Sequence, residues 1–264
     1  MRIFCIGDIF GRPGRRVVRE FLEDFVKSEK IDYVIANAEN LAHGKGMTKK
    51  TIDEMKRAGV NYFTGGNHSF SKEEYYEEYD KKNNTVIRPS NIGFNNPGKG
   101  DVLIETDQGN ILLINLLGRV FMPHFPDNPF TAVDEILEKY KDKKVDASIV
   151  DFHAEATGEK YIMRRHLDGR VSVLFGTHTH IPTADAHVTD SGMGYISDLG
   201  MTGAVDSSIG LNDELMLEYS ITQLKAEHEM EVKFPYYLRG IVVDIENNIC
   251  KSIKHVQLKL ESDS

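Results

Sequence analysis

Val173-Leu-Phe-Gly-Thr-His-Thr-His180 (VLFGTHTH) ends an apolar, β-rich run on two imidazoles one residue apart. In extended backbone, residues two apart project to the same side, so His178 and His180 are expected to point together, with Thr177 and Thr179 facing away. An isolated H-x-H is more often a pair of polar loop residues. Its meaning depends on the residues that close the other apolar runs of the chain.

Four earlier runs end in the same manner. Arg2–Ile6 (RIFCI) leads into Asp8, 33–36 (YVIA) into Glu39 and Asn40, 61–64 (NYFT) into Asn67 and His68, and 146–152 (DASIVDF) into His153. Amphipathic stretches lie between them. Residues 15–28 place Val17, Val18, Phe21, Leu22 and Phe25 at helical spacing, 48–57 open on Thr48 as an N-cap, and 159–167 is a further helical stretch. The charged run 72–82 reads as a solvated helix. Strands joined by crossover helices build a parallel sheet whose sites lie beyond the carboxyl ends of the strands, and all five strand-end groups occupy that address.

Hairpins interrupt this rhythm. Residues 101–105 and 111–117 flank Asp107-Gln-Gly-Asn110, 188–196 turns through Asp190-Ser-Gly192, and 236–246 pairs with 249–260 across Asn247-Asn248. No repeat or low-complexity linker divides the chain. Residues 1–264 therefore read as one domain of the α/β class, a two-sheet α/β sandwich with mixed sheets flanked by helices.

A chain of 264 residues with 40% hydrophobic content can bury a sizeable core. Its net charge of -9 argues against a broad nucleic-acid surface and against an anionic membrane as partner. Cys5 and Cys250 are too far apart in sequence to suggest a disulfide framework or a thiolate metal site, which suits a reducing cytoplasm. The opening MRIFCIGDIFGR is too short in apolar length for a signal peptide, and no stretch approaches membrane-spanning length. A cytoplasmic protein without a membrane partner is expected, and the composition leaves a homo-oligomer open.

Each strand-end residue has a bland reading. Asp8 could cap a turn, Asn67 could hold a left-handed one, and His153 could be a satisfied core histidine. Five such coincidences at one address account poorly for the pattern. Carboxylates of Asp8 and Glu39, amides of Asn40 and Asn67, and imidazoles of His153, His178 and His180 form an oxygen and nitrogen set without thiolate. That set suits manganese, iron, zinc, cobalt or nickel better than calcium or magnesium. Seven ligands exceed the needs of one open ion and suit two that share a carboxylate, for which Glu39 is the candidate. Two ions about 3.5 to 4 Å apart can hold a bridging hydroxide aligned for attack on phosphorus.

Gly7-Asp8, Gly66-Asn67-His68, His153 and Gly176-Thr-His178-Thr-His180, in that order, resemble the successive motifs of the calcineurin-like metallophosphoesterases, which fold as a two-sheet α/β sandwich. More narrowly, NAENLAHGKG (37–46), NPGKG, FHAEAT (152–157), GTHTH and DLGMTG (198–203) resemble a bacterial branch, the YmdB type, along nearly the whole chain. The resemblance implies a metal-dependent phosphodiesterase acting on cyclic nucleotides, 2',3'-cyclic ones first, with regulatory effects on RNA turnover and biofilm behaviour. It implies two transition-metal ions, iron or manganese ahead of zinc, cobalt or nickel. One would take Asp8, Glu39, Asn40 and His180, and the other Glu39, Asn67, His153 and His178. Three positions depart from the superfamily pattern. Phe10 stands where its first motif has a histidine, Glu39 with Asn40 replaces a bridging aspartate, and Ser69-Phe70 follows His68 where an orienting acid is common.

His68 follows Asn67 but faces the other way along the chain, so it is placed to protonate a departing oxygen as general acid. His43 and Arg119 are weaker candidates for a phosphate or nucleoside contact, and His124, His166, His187, His228 and His255 have no strand-end partners. A Rossmann site is disfavoured by the glycine spacing and by the charge of Asp8 where a pyrophosphate would approach. The hairpins argue against a TIM barrel. The competing functions are a phosphomonoesterase or phosphoprotein phosphatase, and a low-activity regulatory metal-binding scaffold.

Overall fold

The computed structural model describes residues 1–93, 95–123, 125–225 and 229–262. In chain order the elements are β1 (Arg2–Ile6), α1 (Gly11–Glu29), β2 (Tyr33–Asn37), α2 (Lys49–Arg57), β3 (Tyr62–Thr64), α3 (Tyr76–Tyr79), β4 (Asp101–Thr106), β5 (Gly109–Leu117), α4 (Pro129–Tyr140), β6 (Ala147–His153), α5 (Thr157–Leu167), β7 (Val173–Thr177), β8 (His187–Val188), β9 (Gly194–Ile196), β10 (Gly203–Ala204), α6 (Asp213–Thr222), β11 (Tyr236–Glu246) and β12 (Ile249–Leu260).

The strands form two mixed sheets. In the first, β1, β2 and β3 run parallel, β11 pairs antiparallel to β1, and β12 and the short β10 pair with β11. In the second, β5, β6, β7 and β9 run parallel between antiparallel β4 and β8. Alternation along β1 shows how the sheets are used. Ile3 and Cys5 face a middle layer shared with Leu113, Ile149, Val173 and Phe175 of the second sheet, while Phe4 and Ile6 pack under Val17, Val18 and Leu22 of α1. A third layer packs Leu112, Ile114 and Val150 against Val133 of α4 and Met163 of α5. The result is an α/β sandwich of helices, sheet, sheet and helices.

Local chemistry explains most boundaries. Pro13 sits in the first turn of α1, where its missing N–H is harmless, so that helix starts at Gly11 rather than near residue 15. Thr48 caps α2 reciprocally with Thr51. The hairpins at 107–108 and 247–248 form as their turn residues predict. One expectation fails: 72–82 is not a solvated helix. It holds a 3-10 turn (Glu73–Tyr75) and the single turn α3, because Tyr75 and Tyr79 are buried edge-to-face against each other, pulling the segment onto the protein. Among the described residues no helix is long and apolar enough to cross a membrane.

Candidate metal centre

The parallel strands of both sheets bring their carboxyl ends to one edge, and the first sheet delivers the acids and amides while the second delivers imidazoles. Asp8 is fully buried, with Oδ2 accepting the His178 N–H at 3.2 Å. Its Oδ1 is buried without a hydrogen-bond partner, 3.9 Å from His153 Nδ1 and 4.0 Å from His180 Nε2. Burial raises this carboxyl above the usual carboxylate range, with His180 and His153 opposing it.

Three acceptors crowd one nitrogen. His153 Nε2 lies 2.9 Å from Asn67 Oδ1, 3.0 Å from His178 Nδ1 and 3.2 Å from Glu39 Oε2. A single N–H cannot serve all three, whereas a cation can be shared by every lone pair. Ligand atoms of Glu39, His153 and His178 lie within 4.8 Å of one another. Burial opposes charge on His153, but Glu39 outweighs it and raises the imidazole to about 9. Burial and the His153 charge lower His178 to about 3. Burial would also raise Glu39, yet His153 and His68 hold its carboxyl well below the ordinary range.

The two oxygens of Glu39 face different groups. Oε2 meets His153 and the His68 N–H (3.0 Å), while Oε1 accepts from Asn40 Nδ2 at 3.1 Å, and that amide nitrogen also lies 3.1 Å from His180 Nε2. Asp8, Glu39, Asn40, Asn67, His153, His178 and His180 are therefore brought together. The orphaned Asp8 oxygen and the excess of lone pairs fit a bound cation.

The H-x-H pair reaches the site by a different route from the one its spacing predicts. Strand β7 stops at Thr177, and His178 and His180 have φ of 100° and 66°, so neither is extended and the rings go to different neighbours. The N–H groups of His178 and Thr179 are taken by the Asp8 and Asp198 carboxylates, which bends the chain into the turn.

The outer nitrogen of each imidazole is fixed. His153 Nδ1 lies 2.9 Å from Thr177 Oγ1, whose hydroxyl donates to Asp151 at 2.7 Å. Asp151 also accepts from Thr64 (2.5 Å) and Asn37 (3.0 Å). His180 Nδ1 lies 2.8 Å from Ile209 O, and His178 Nε2 lies 3.1 Å from Glu155. These contacts leave the inward nitrogens with their lone pairs free, the arrangement expected of metal-ligating histidines. Buried Lys160 bonds Asp198 (2.7 Å) and Thr177 O (3.0 Å), holding the turn. Sequence reasoning missed Asn37, Thr64, Asp151, Lys160 and Asp198. The available signal was a polar residue interrupting an apolar strand, as at Asn37 and Asp151.

His68 lines a cleft of about 670 Å³ with Glu39, Asn40, His178 and His180. Among the described residues nothing hydrogen-bonds its imidazole, and its backbone N–H donates to Glu39. Burial lowers its pKa, with Glu39 opposing. Phe10 meets His180 edge-on, with ring centroids 5.4 Å apart. His43 also lines the cleft, whereas the Arg119 backbone N–H turns to Glu159. His166 bonds Asp134 and His187 bonds Arg164, while His255 lies on β12. His124 and His228 lie outside the described residues.

A family model described as YmdB-like protein matches residues 4–256. The chain is 36% identical over 263 residues to the 2',3'-cyclic-nucleotide 2'-phosphodiesterase of Bacillus subtilis, across 100% of this chain and 98% of that protein. The crystal structure of a phosphatase from Mycoplasma pneumoniae is 34% identical, with a TM-score of 0.91 over 99% of this chain and 94% of that one. A 5'-nucleotidase precursor from Thermus thermophilus, 13% identical, shares the fold alone, with a TM-score of 0.55 over 99% of this chain and 54% of that one. Two mixed sheets flanked by helices are the fold of the calcineurin-like metallophosphoesterases, and in this chain acids, amides and imidazoles gather at one edge of it. Within that class, the chain belongs to the YmdB-like family.

Proposed function

We propose that the chain is a metal-dependent phosphodiesterase that hydrolyses 2',3'-cyclic nucleotides to nucleoside monophosphates. The observation that carries this reading is the convergence of Asp8, Glu39, Asn40, Asn67, His153, His178 and His180 beneath an open cleft. The full-length relationship to the Bacillus subtilis enzyme supports the ester class. Glu39, with an oxygen toward each group, is assigned as the bridge between two ions. Asp8, Asn40 and His180 complete one set, and Asn67, His153 and His178 the other. Asn40 would turn its amide oxygen inward, since amide oxygen and nitrogen exchange places by a half-turn. The oxygen and imidazole set suits iron or manganese, with zinc, cobalt or nickel also compatible.

When bound, the ions would supply Lewis-acid stabilisation of phosphoryl charge and acidify water near neutral pH. The protein contributes the rest. Thr177, Glu155 and Ile209 O hold the imidazoles in one tautomer each, and the Asp8 and Asp198 carboxylates fix the turn that carries two of them. The His68 imidazole, in the cleft, is assigned the proton delivered to the departing ribose oxygen. Free, buried Cys5 and Cys250 support a reducing, cytoplasmic setting, with residues 1–264 acting as one domain. A regulatory role in RNA turnover or biofilm behaviour rests on the family resemblance.

Elemental analysis after reconstitution with manganese or iron, combined with a substrate panel, tests this reading. Two ions per chain and highest kcat/KM on 2',3'-cyclic nucleotides are expected, with Glu39→Gln losing both metal and turnover. At most one ion would overturn the bridged centre. Preference for monoesters over cyclic and linear diesters would make the chain a phosphomonoesterase.

A further inference from the structure

The turn 42–46 (AHGKG) is built against the candidate centre, yet the ligand set and the general acid leave it without a task. Gly46 N–H donates to Glu39 O at 2.5 Å and Ala42 N–H to Gly46 O at 2.8 Å, so the turn is tied to the segment carrying Glu39 and Asn40. His43, Gly44 and Gly46 have φ of 57°, 77° and 77°. A side chain at Gly44 would run into the Phe10 ring, and one at Gly46 into Lys72 and Ser71. A non-glycine residue held left-handed by such packing directs attention to the side chains that the turn presents.

Those side chains are His43 and Lys45. Both are exposed, both line the cleft beside His68, and among the described residues neither side chain has a hydrogen bond or ion pair. Among the described residues Lys45 is the single lysine or arginine on the cleft wall, which also carries the Glu39 and Glu155 carboxylates. Several other lysines of this acidic protein are ion-paired, as Lys27 is with Glu23 and Lys49 with Asp53.

We propose that Lys45, with His43 beside it, is the anion anchor of the cleft, holding a non-bridging phosphate oxygen of the diester and then of its monoester product. This rests on the phosphodiesterase reading. An ammonium is a compact charge with three donors on a flexible stem, so it can follow a phosphate oxygen as the ester opens. The chain carries a net charge of -9, and one cation at the mouth offsets local repulsion of an anionic substrate.

The test uses metal-loaded wild type, Lys45→Gln, Lys45→Arg and Lys27→Gln, the last making the same charge change on α1 away from the cleft. Metal content, inorganic-phosphate affinity by calorimetry, and KM and kcat on a 2',3'-cyclic nucleotide are measured. Lys45→Gln is expected to keep its metals, weaken phosphate binding and raise KM roughly tenfold, and change kcat less than about threefold. Lys45→Arg should recover most of the loss, and Lys27→Gln should match wild type. Phosphate affinity and KM within twofold of wild type in Lys45→Gln, or equal shifts in Lys27→Gln, would overturn the anchor. Phosphate binding needs no turnover, so it judges the anchor even if the diester is not cleaved. A cleaved diester with unchanged phosphate affinity in Lys45→Gln sinks the anchor and leaves the phosphodiesterase reading standing.

Discussion

His68 can be separated from the groups around it because its backbone, not its ring, is bonded to Glu39. Replacing the ring leaves the ligand positions intact. A ribose alkoxide departs poorly without a proton, whereas a nitrophenolate needs little help, so one site makes two different demands on a general acid. His68→Ala should retain its metals, lose roughly 100-fold in kcat on a 2',3'-cyclic nucleotide, and lose under about tenfold on a nitrophenyl diester. Equal loss on both substrates would instead assign the ring to phosphate binding, and loss of metal would make it structural. Most of the candidate residues were legible because each follows an apolar strand. The route of His178 and His180 was not legible, since their left-handed backbone depends on Asp8 and Asp198, distant in sequence. The Thr177 to Asp151 contact behind His153 was hidden for the same reason: its partners lie on neighbouring strands, and spacing along one strand does not reveal them.

The segment leaving β3 shows what one element must provide beyond its ligands. Gly66 is not left-handed, so conformational freedom is not its reason. A Cβ there would run into the Glu39 carboxylate and the His153 ring, where the two sheets' contributions meet. Gly66→Ala should therefore fold, with a circular-dichroism melt near that of wild type, and lower metal affinity roughly 10- to 100-fold. Wild-type metal affinity would show that the Glu39 and His153 side chains can yield. Elements themselves were legible in proportion to their burial pattern. β11 and β12 carry alternation and β1 is an unbroken apolar run, all three sitting where expected, and α1 carries a buried stripe. The α6 helix has no buried residue, hence no stripe to read. The α4 helix carries its own signals, with Asn128 as cap, Pro129 in the first turn, and Val133 and Ile136 buried. In 72–82 charge concealed the two tyrosines that decide the conformation.

At the scale of the whole molecule, the site is an interface between two sheets. Asp8, Glu39, Asn40 and Asn67 follow strands of the first, and His153, His178 and His180 belong to the second, so their separation is set by the apolar layer between the sheets. Adjacent residues on β5 allow that layer to be probed with matched chemistry. Leu113 faces the middle layer, and Leu112 faces the outer layer under α4 and α5. Each leucine is essentially fully buried, so truncation to alanine should lower stability by about 2–5 kcal/mol in either case, read by urea unfolding. Their effects on the site should differ. Leu113→Ala removes packing that fixes the spacing of the two ligand halves, and should weaken metal binding by severalfold in chelator competition under conditions where the protein remains folded. Leu112→Ala leaves the sheet-to-sheet layer intact and should bind metal as wild type does. If both variants lost stability and neither changed metal affinity, the loops alone would set the site, through bonds such as His178 N–H to Asp8 and His153 to Glu39. If both weakened it equally, the loss would track overall stability. Only an asymmetric result makes the middle layer part of the metal centre's architecture.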